Sequence, residues 1–191
     1  AVRRACPTVT SASNPTAEAV AQLLIEVYAI HDVVIQETGG LEGLRDAAML
    51  HAAVARPFAT YAGEPLYGDN FTQAAALMHS LIKSHPFLDG TKRTAFLATL
   101  HFLASRGHAV PQPLPKYEVI RFCLALAEEN LRLTAGETTQ IVTVPDIATW
   151  LRLAGLNPHD LPTLMRHLGQ HYPKREMGWV YASVKTLYGV G

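Results

Sequence analysis

The chain has 191 residues, 49% of them hydrophobic, which is enough for one globular domain with its own core. Lys and Arg together number 16, as do Asp and Glu, so no net charge draws the chain to nucleic acid or an anionic membrane, and neither is an expected partner. The two cysteines, Cys6 and Cys123, lack metal-ligand spacing, and no apolar run approaches the ~18 residues of a membrane span. The absence of a signal-peptide pattern favours a cytoplasmic location.

The N-terminal part of the sequence divides into a tail and two helices. Residues 1–15 are rich in Thr, Ser, Ala and Pro and are predicted to form a disordered tail, with the folded domain spanning 16–155. Helical spacing of apolar residues predicts a first helix from Thr16 to the Gly39-Gly40 pair. A short second helix is predicted from Asp46 to Ala55.

The middle of the sequence contains the two most apolar helical patterns. Residues 57–70 mix aromatics with Pro and Gly, which indicates an ordered loop or a short hairpin. A buried central helix is predicted from Phe71 to Ser84, and another strong helix from about Gly90 to Ser105. The unusual residues lie in the break between these helices.

The C-terminal part is predicted to be helical as well. Tyr117 to Arg132 and Val144 to Leu153 have helical apolar spacing, and residues 156–191 are predicted to be a helical extension of unknown role. Strand signals are few and short. The sequence therefore predicts an all-α bundle with at most one hairpin.

The break between the two central helices predicts an anion-binding turn. The first residues of a helix have backbone N–H groups without intrahelical partners, and with the helix dipole they favour a bound anion. Gly90 lets the backbone approach an oxyanion, and Lys92 and Arg93 add two cations. Asp89 suits a Mg²⁺ that bridges nucleotide phosphates, and the His85 imidazole is a typical general base.

Each of these residues also has a structural interpretation. A histidine before a proline is commonly a helix-end residue, and Asp-Gly is commonly a turn. Lys92 and Arg93, however, stand at the helix end that disfavours cations, and a bound anion would compensate for that placement. The combination of a base, an acid, a glycine and two cations within nine residues favours a functional site.

The motif HPFLDGTKRTA, which begins at His85, resembles the central motif of the Fic/Doc family in its Doc, or death-on-curing, branch, where the form is HPFxDGNKRTA. Flanking sequence from about residue 20 to 155 is similar to the branch as well. The resemblance implies a Fic/Doc-like helical bundle with a short β-hairpin flap. Residues 156–191 lie outside the similarity.

The resemblance also implies a role for each motif position. His85 is the base that activates a target hydroxyl, and Asp89 binds Mg²⁺. The anion hole consists of Gly90, Thr91 and Lys92, while Arg93 and, two residues before the histidine, Lys83 contact nucleotide phosphates. The flap that aligns a target peptide corresponds to Tyr61, Ala62, Gly63, Glu64, Pro65, Leu66 and Tyr67.

Two departures from the family's patterns bear on the reaction. The AMP-transferring Fic branch has GNGRxxR, but here Lys92 replaces a glycine and Phe96 replaces the second arginine, which favours Doc-like transfer of the terminal phosphate. Thr91 stands where the Doc motif has Asn, and a hydroxyl provides fewer donors than an amide.

Three functions are consistent with these residues. The first is a toxin-like phosphotransferase that moves the terminal phosphate of ATP to a Ser or Thr hydroxyl of a protein, with elongation factor Tu as the implied target. The second is an AMP transferase acting on a protein or small molecule. The third is a module impaired in catalysis by Thr91 that binds a nucleotide or partner. At Glu129-Asn130 the inhibitory motif [ST]xxxE[GN] is not matched, because Ala125 stands four positions before Glu129; a separate antitoxin or residues 156–191 would then restrain the activity.

Overall fold

The computed structural model describes residues 15–108, 116–127, 131–132, 139–140 and 142–154. The predicted extension, 156–191, and nearly all of the predicted tail lie outside these ranges. Within them the chain forms six helices and four short strands, namely α1 (Pro15–Thr38), α2 (Ala47–Ala55), β1 (Thr60–Tyr61), β2 (Glu64–Pro65), α3 (Asn70–Ser84), α4 (Thr91–Ala104), α5 (Lys116–Ala127), β3 (Leu131–Arg132), β4 (Thr139–Gln140) and α6 (Val144–Ala154).

Helix α3 is the centre of the bundle, as its apolar sequence predicts. It contacts α2, α4, α5 and α6, while α1 packs on α2 and α4. Five consecutive residues of α3, Ala74–Met78, are fully buried, so this helix is surrounded on all sides. The predicted all-α bundle is therefore confirmed, and no described helix has the length and apolarity needed to cross a membrane.

The helices begin close to where the sequence places them. Helix α1 starts at Pro15, one residue inside the predicted tail, because proline is well suited to the first turn of a helix. Asp46 caps α2 by accepting hydrogen bonds from the amides of Ala48 and Met49. Asp69 caps α3 in the same way and also pairs with Arg152 of α6, at 2.8 Å.

The aromatic and Pro-rich segment after α2 contains an ordered hairpin, one of the two structures that the sequence allows there. A single 3₁₀ turn at Arg56–Phe58 leads into β1, and Thr60 and Tyr61 pair with Pro65 and Glu64. Ala62 and Gly63 have φ values of 51° and 86°, the pattern of a tight hairpin turn. Both strands are exposed, and Tyr61 is 78% exposed.

Two predictions were wrong in the C-terminal half, namely the end of the fifth helix and the limit of at most one hairpin. The helix predicted to run from Tyr117 to Arg132 ends at Ala127. Leu131 and Arg132 instead form β3, which pairs with Gln140 and Thr139 of β4 as a second hairpin. Leu131 and Arg132 are good helix formers, so the strand pairing overrides the local helix propensity here.

Candidate active site

The turn between α3 and α4 is defined by two residues with left-handed backbone. His85, which ends α3, has φ 48°, and Gly90, which precedes α4, has φ 72°. A side chain on Gly90 would place its Cβ 3.0 Å from Cδ1 of Ile35 in α1. Gly90 therefore allows both the backbone reversal and the close approach of α4 to α1.

The segment between α1 and α2 holds this turn in place. Phe87 is fully buried and forms an isolated antiparallel bridge with Leu44. The Leu88 amide donates to the Gly43 carbonyl at 3.0 Å, and the Arg45 amide donates to the Pro86 carbonyl at 2.7 Å. These contacts attach the turn to the segment between α1 and α2.

Asp89 is a partly exposed carboxylate that remains ionised. The pKa of Asp89 lies below its ordinary value, chiefly because the Gly90 amide donates a hydrogen bond to Oδ1, and the positive charge of Arg93 acts in the same direction. Gly40 lies so close that a Cβ there would be 2.6 Å from Oδ2 of Asp89. The missing side chain at position 40 therefore leaves room for this carboxylate.

Arg93 is held by three groups around the turn. Its Nη1 donates to the Thr38 hydroxyl and, at 3.0 Å, to the Gly39 carbonyl at the end of α1. Its Nη2 lies 3.2 Å from Oδ1 of Asp89. The guanidinium thus links α1, the turn and α4.

Thr91 lies directly beside His85. It is 3% exposed, and its Oγ1 is 3.5 Å from Nδ1 of His85, the long limit of a hydrogen bond. Thr91, which replaces the Asn of the family motif, therefore contacts the predicted base His85. The sequence pattern did not indicate this contact.

These groups line a cavity of about 520 Å³ with two chemically distinct parts. The polar part contains His85, Asp89, Gly90, Thr91, Lys92 and Arg93, together with Glu37 and Thr38 of α1. The apolar wall, from α1, α4 and α5, consists of Val33, Val34, Phe96, Leu97, Val119, Ile120, Cys123 and Leu124. Burial raises the pKa of the Cys123 thiol to about 12, so it remains protonated at neutral pH.

The structure therefore brings together the six predicted residues of the motif but not the other predicted ones. Lys83 is absent from the cavity lining, and its ammonium nitrogen is buried. The flap residues, Tyr61–Tyr67, also lie outside the lining. The predicted roles of Lys83 and of the flap remain predictions.

Sequence reasoning missed the contribution of α1 to this site. Glu37 and Thr38 line the cavity, and Gly40 makes room for Asp89. His31, buried behind the turn, was missed because α1 was considered only for its apolar residues. The available signal was the position of His31 on the helix face shared by Val27 and Val34, where a polar residue is unusual.

The fold and the site define an all-α protein with a cavity at the turn between its two central helices, lined by the six motif residues His85, Asp89, Gly90, Thr91, Lys92 and Arg93. A family model described as the Fic/DOC family matches residues 23–103. The "Toxin Doc" of Mycolicibacterium smegmatis is 46% identical over 69 residues, which cover 36% of this chain and 53% of that protein. The "Protein kinase doc" of Escherichia phage P1 is 31% identical over 127 residues, which cover 66% of this chain and 89% of that protein.

The chain belongs to the Fic/DOC family, and both curated relatives support its Doc branch. The match spans about half the length of the first relative and most of the second. No solved structure gives a significant match.

Proposed function

We propose that this chain is a Doc-like phosphotransferase that moves the terminal phosphate of ATP to a Ser or Thr hydroxyl of a target protein. The observation that carries the proposal is that a base, an ionised acid, two cations and the start of α4 share one cavity. Family membership and the name of the phage relative, "Protein kinase doc", support the same reaction class.

The start of α4 supplies the anion site. No described side chain caps this helix, so the amides of its first residues are available to phosphate oxygens. Lys92 and Arg93 add positive charge at the same place. Fixed donors and cations of this kind stabilise the charge that develops on a transferred phosphoryl group.

His85 takes the role of general base. Thr91 lies at Nδ1, which leaves Nε2 to accept the proton of the target hydroxyl. The hydroxyl oxygen then forms a bond to the terminal phosphorus, and the bond from that phosphorus to the leaving ADP oxygen breaks. The proton stays on His85 until solvent removes it.

Asp89 is the residue that would hold Mg²⁺. Its carboxylate is ionised and part-exposed in the cavity, and magnesium in nucleotide sites commonly takes one or two carboxylates with substrate phosphates. No group of three or more metal-ligating side chains occurs among the described residues, so the phosphates would supply the remaining ligands. When bound, the ion neutralises negative charge on the nucleotide.

The exposed hairpin of β1 and β2 is the proposed binding site of the target peptide. Tyr61 is exposed, and both short strands offer open edges to an added strand. Elongation factor Tu is the target implied by the family branch, and a small-molecule acceptor is the alternative.

An antitoxin is the proposed regulator. Four large apolar side chains of the cavity wall, Val33, Leu97, Ile120 and Leu124, are each more than 40% exposed, which is typical of a surface that a partner covers. The name of the Mycolicibacterium smegmatis relative, "Toxin Doc", supports this proposal. A partner on this wall would obstruct the cavity beside it.

The donor is tested with ATP labelled at either the α or the γ phosphate, together with Mg²⁺ and purified elongation factor Tu or a cell lysate. We expect transfer of γ label only, and loss of transfer in His85→Ala. His101→Ala is the matched control, because His101 is on α4 outside the cavity lining and pairs with Glu26.

Label arriving only from the α phosphate would support AMP transfer, the second candidate, and overturn the kinase proposal. If ATP binds by calorimetry while neither the wild type nor His85→Ala transfers label, the chain acts as a binding module.

A further inference from the structure

His31 is a buried polar residue directly behind the anion-binding turn. It lies in α1, is 2% exposed and is not part of the cavity lining. Its Cε1 would be 3.6 Å from a Cβ on Gly90, so the imidazole contacts the turn at the residue that precedes α4. The ring therefore lies beneath the backbone that would bind phosphate.

Two contacts fix the His31 ring against the site. Its face stacks on Phe87 of the turn, with centroids 3.8 Å apart and planes 13° apart. Its Nδ1 is 3.1 Å from the Thr94 hydroxyl in the first turn of α4. Thr94 also donates its amide to the Gly90 carbonyl at 2.9 Å, so the His31 contact acts on the hydrogen bond that starts the helix.

The polarity of His31 has an energetic disadvantage in this position. Among the described residues, its buried Nε2 has no hydrogen-bond partner. Leaving such a group unsatisfied destabilises the folded state, because the nitrogen loses its hydrogen bonds to water and gains none in the protein. Burial lowers the pKa of His31, and the positive charge of Arg93 lowers it further. The negative charges of Asp32 and Asp89 raise the pKa, but they do not outweigh burial, so the ring is neutral at pH 7. An apolar ring would fill the same space without this penalty.

We propose that His31 is a positioning residue of the anion site, which sets the first turn of α4 relative to Gly90 through its hydrogen bond to Thr94. This inference rests on the proposed function, because it assigns His31 to the nucleotide-binding turn. A neutral Nδ1 contact orients the amides of Thr91 and Lys92, which follow Gly90 directly. The stack on Phe87 keeps the ring aligned with both ends of the turn.

Two pairs of variants separate positioning from core packing. His31→Phe keeps the ring and the stack but removes both nitrogens, whereas His31→Asn can place an amide group near the position of Nδ1. Thr94→Val removes the hydroxyl at nearly constant shape, and Thr94→Ser retains it. Calorimetry with ATP gives the affinity, and thermal unfolding of the same samples reports the fold.

We expect His31→Phe and Thr94→Val each to weaken ATP binding about tenfold, the factor that corresponds to one lost hydrogen bond. The double variant should be no weaker than either single variant, because both remove the same contact. His31→Asn and Thr94→Ser should retain most of the affinity. Equal affinity of His31→Phe and wild type, with both folded, would overturn the proposal.

The Thr94 pair keeps the test decisive if His31→Phe does not fold. A readout that needs no nucleotide separates this inference from the proposed function. In ligand-free protein, the Gly90 amide resonance should shift, and the Thr94 amide should exchange with solvent faster, in Thr94→Val but not in Thr94→Ser. If these amides are unchanged, His31 does not position the turn, whatever the outcome of the labelled-ATP assay.

Discussion

Helices α3 and α4 are packed neighbours of similar length that begin in opposite ways. The start of α3 is closed by Asp69, whose carboxylate accepts from the amides of Phe71 and Thr72. Arg152 approaches the two oxygens of that carboxylate at 2.9 and 2.8 Å. The Asp69 carboxylate therefore provides hydrogen-bond acceptors for two free amides of α3, and its negative charge interacts favourably with the positive end of the helix dipole.

The start of α4 lacks such a side chain. Gly90 occupies the cap position, no described side chain caps the helix, and Lys92 and Arg93 increase the positive charge. The first residues of α4 also line the cavity, so a ligand could reach these amides, whereas those of α3 are bonded within the chain. The same local chemistry stabilises the fold at Asp69 and is available for a ligand at Gly90.

The largest effect should come from closing the start of α4 with a carboxylate. Gly90→Asp accepts the left-handed backbone and adds a negative charge at the start of α4. Its Cβ must displace the flexible Cδ1 of Ile35, 3.0 Å away, and the Asn control requires the same displacement. We expect the affinity for ATP, measured by calorimetry, to fall roughly a hundredfold or more. Gly90→Asn is the control of nearly equal shape, and it should lose less. Equal ATP affinities of Gly90→Asp and Gly90→Asn would show that charge at this position does not affect nucleotide binding.

A smaller effect should follow from adding a donor at the same helix start. Thr91→Asn provides the amide that the family motif has at this position, and we expect turnover of labelled ATP to rise roughly fivefold, the worth of about one hydrogen bond. Thr91→Val should lower turnover, because it removes the hydroxyl beside His85. A Val variant as active as wild type would mean that this hydroxyl has no role.

Opening the start of α3 should change stability but not ligand binding. Asp69→Ala removes a cap, and we expect the free energy of unfolding in urea to fall by about 1–2 kcal/mol. ATP affinity should be unchanged, because Asp69 does not line the cavity. Asp46→Ala, which removes the cap of α2, is the matched control. It should also lower the free energy of unfolding and leave ATP affinity unchanged. A large loss of ATP affinity in folded Asp69→Ala would contradict the separation of the two helix starts.

The smallest effect should be on acid stability. Burial raises the pKa of Asp69, but the Thr72 amide, the charge of Arg152 and the Phe71 amide outweigh it, so the pKa lies below its ordinary value. The resulting stabilisation is fully present above the unfolded pKa of about 3.9 and is lost as pH falls through the folded pKa. Unfolding of Asp69→Asn should therefore depend less on pH below ~4. Identical slopes for variant and wild type would refute this assignment.

The sequence predicts much of the fold because the central helices carry strong apolar patterns. The bounds of α3 and α4 lie within one residue of the prediction, and the first hairpin was one of its two readings. The failure after Ala127 arose because β3 and β4 each have only two residues. Such strands are too short to show the alternation of apolar and polar residues that indicates a strand.

The site is only partly predictable for a related reason. The motif places six cavity residues in one short segment, so its contribution could be inferred. The contributions of Glu37, Gly40 and His31 depend on α1 packing against a turn some 50 residues later, and Arg93 reaches Thr38 across 55 positions. The contact between Thr91 and His85 depends on two left-handed residues that no apolar pattern encodes.

The three-way attachment of Arg93 has a consequence for the thermodynamics of ligand capture. A free arginine side chain loses about 2 kcal/mol of rotamer entropy when it is immobilised. Here Thr38, Gly39 and Asp89 already immobilise the guanidinium during folding. An arriving phosphate would therefore meet an ordered cation, and little further side-chain entropy would be lost at this residue on binding.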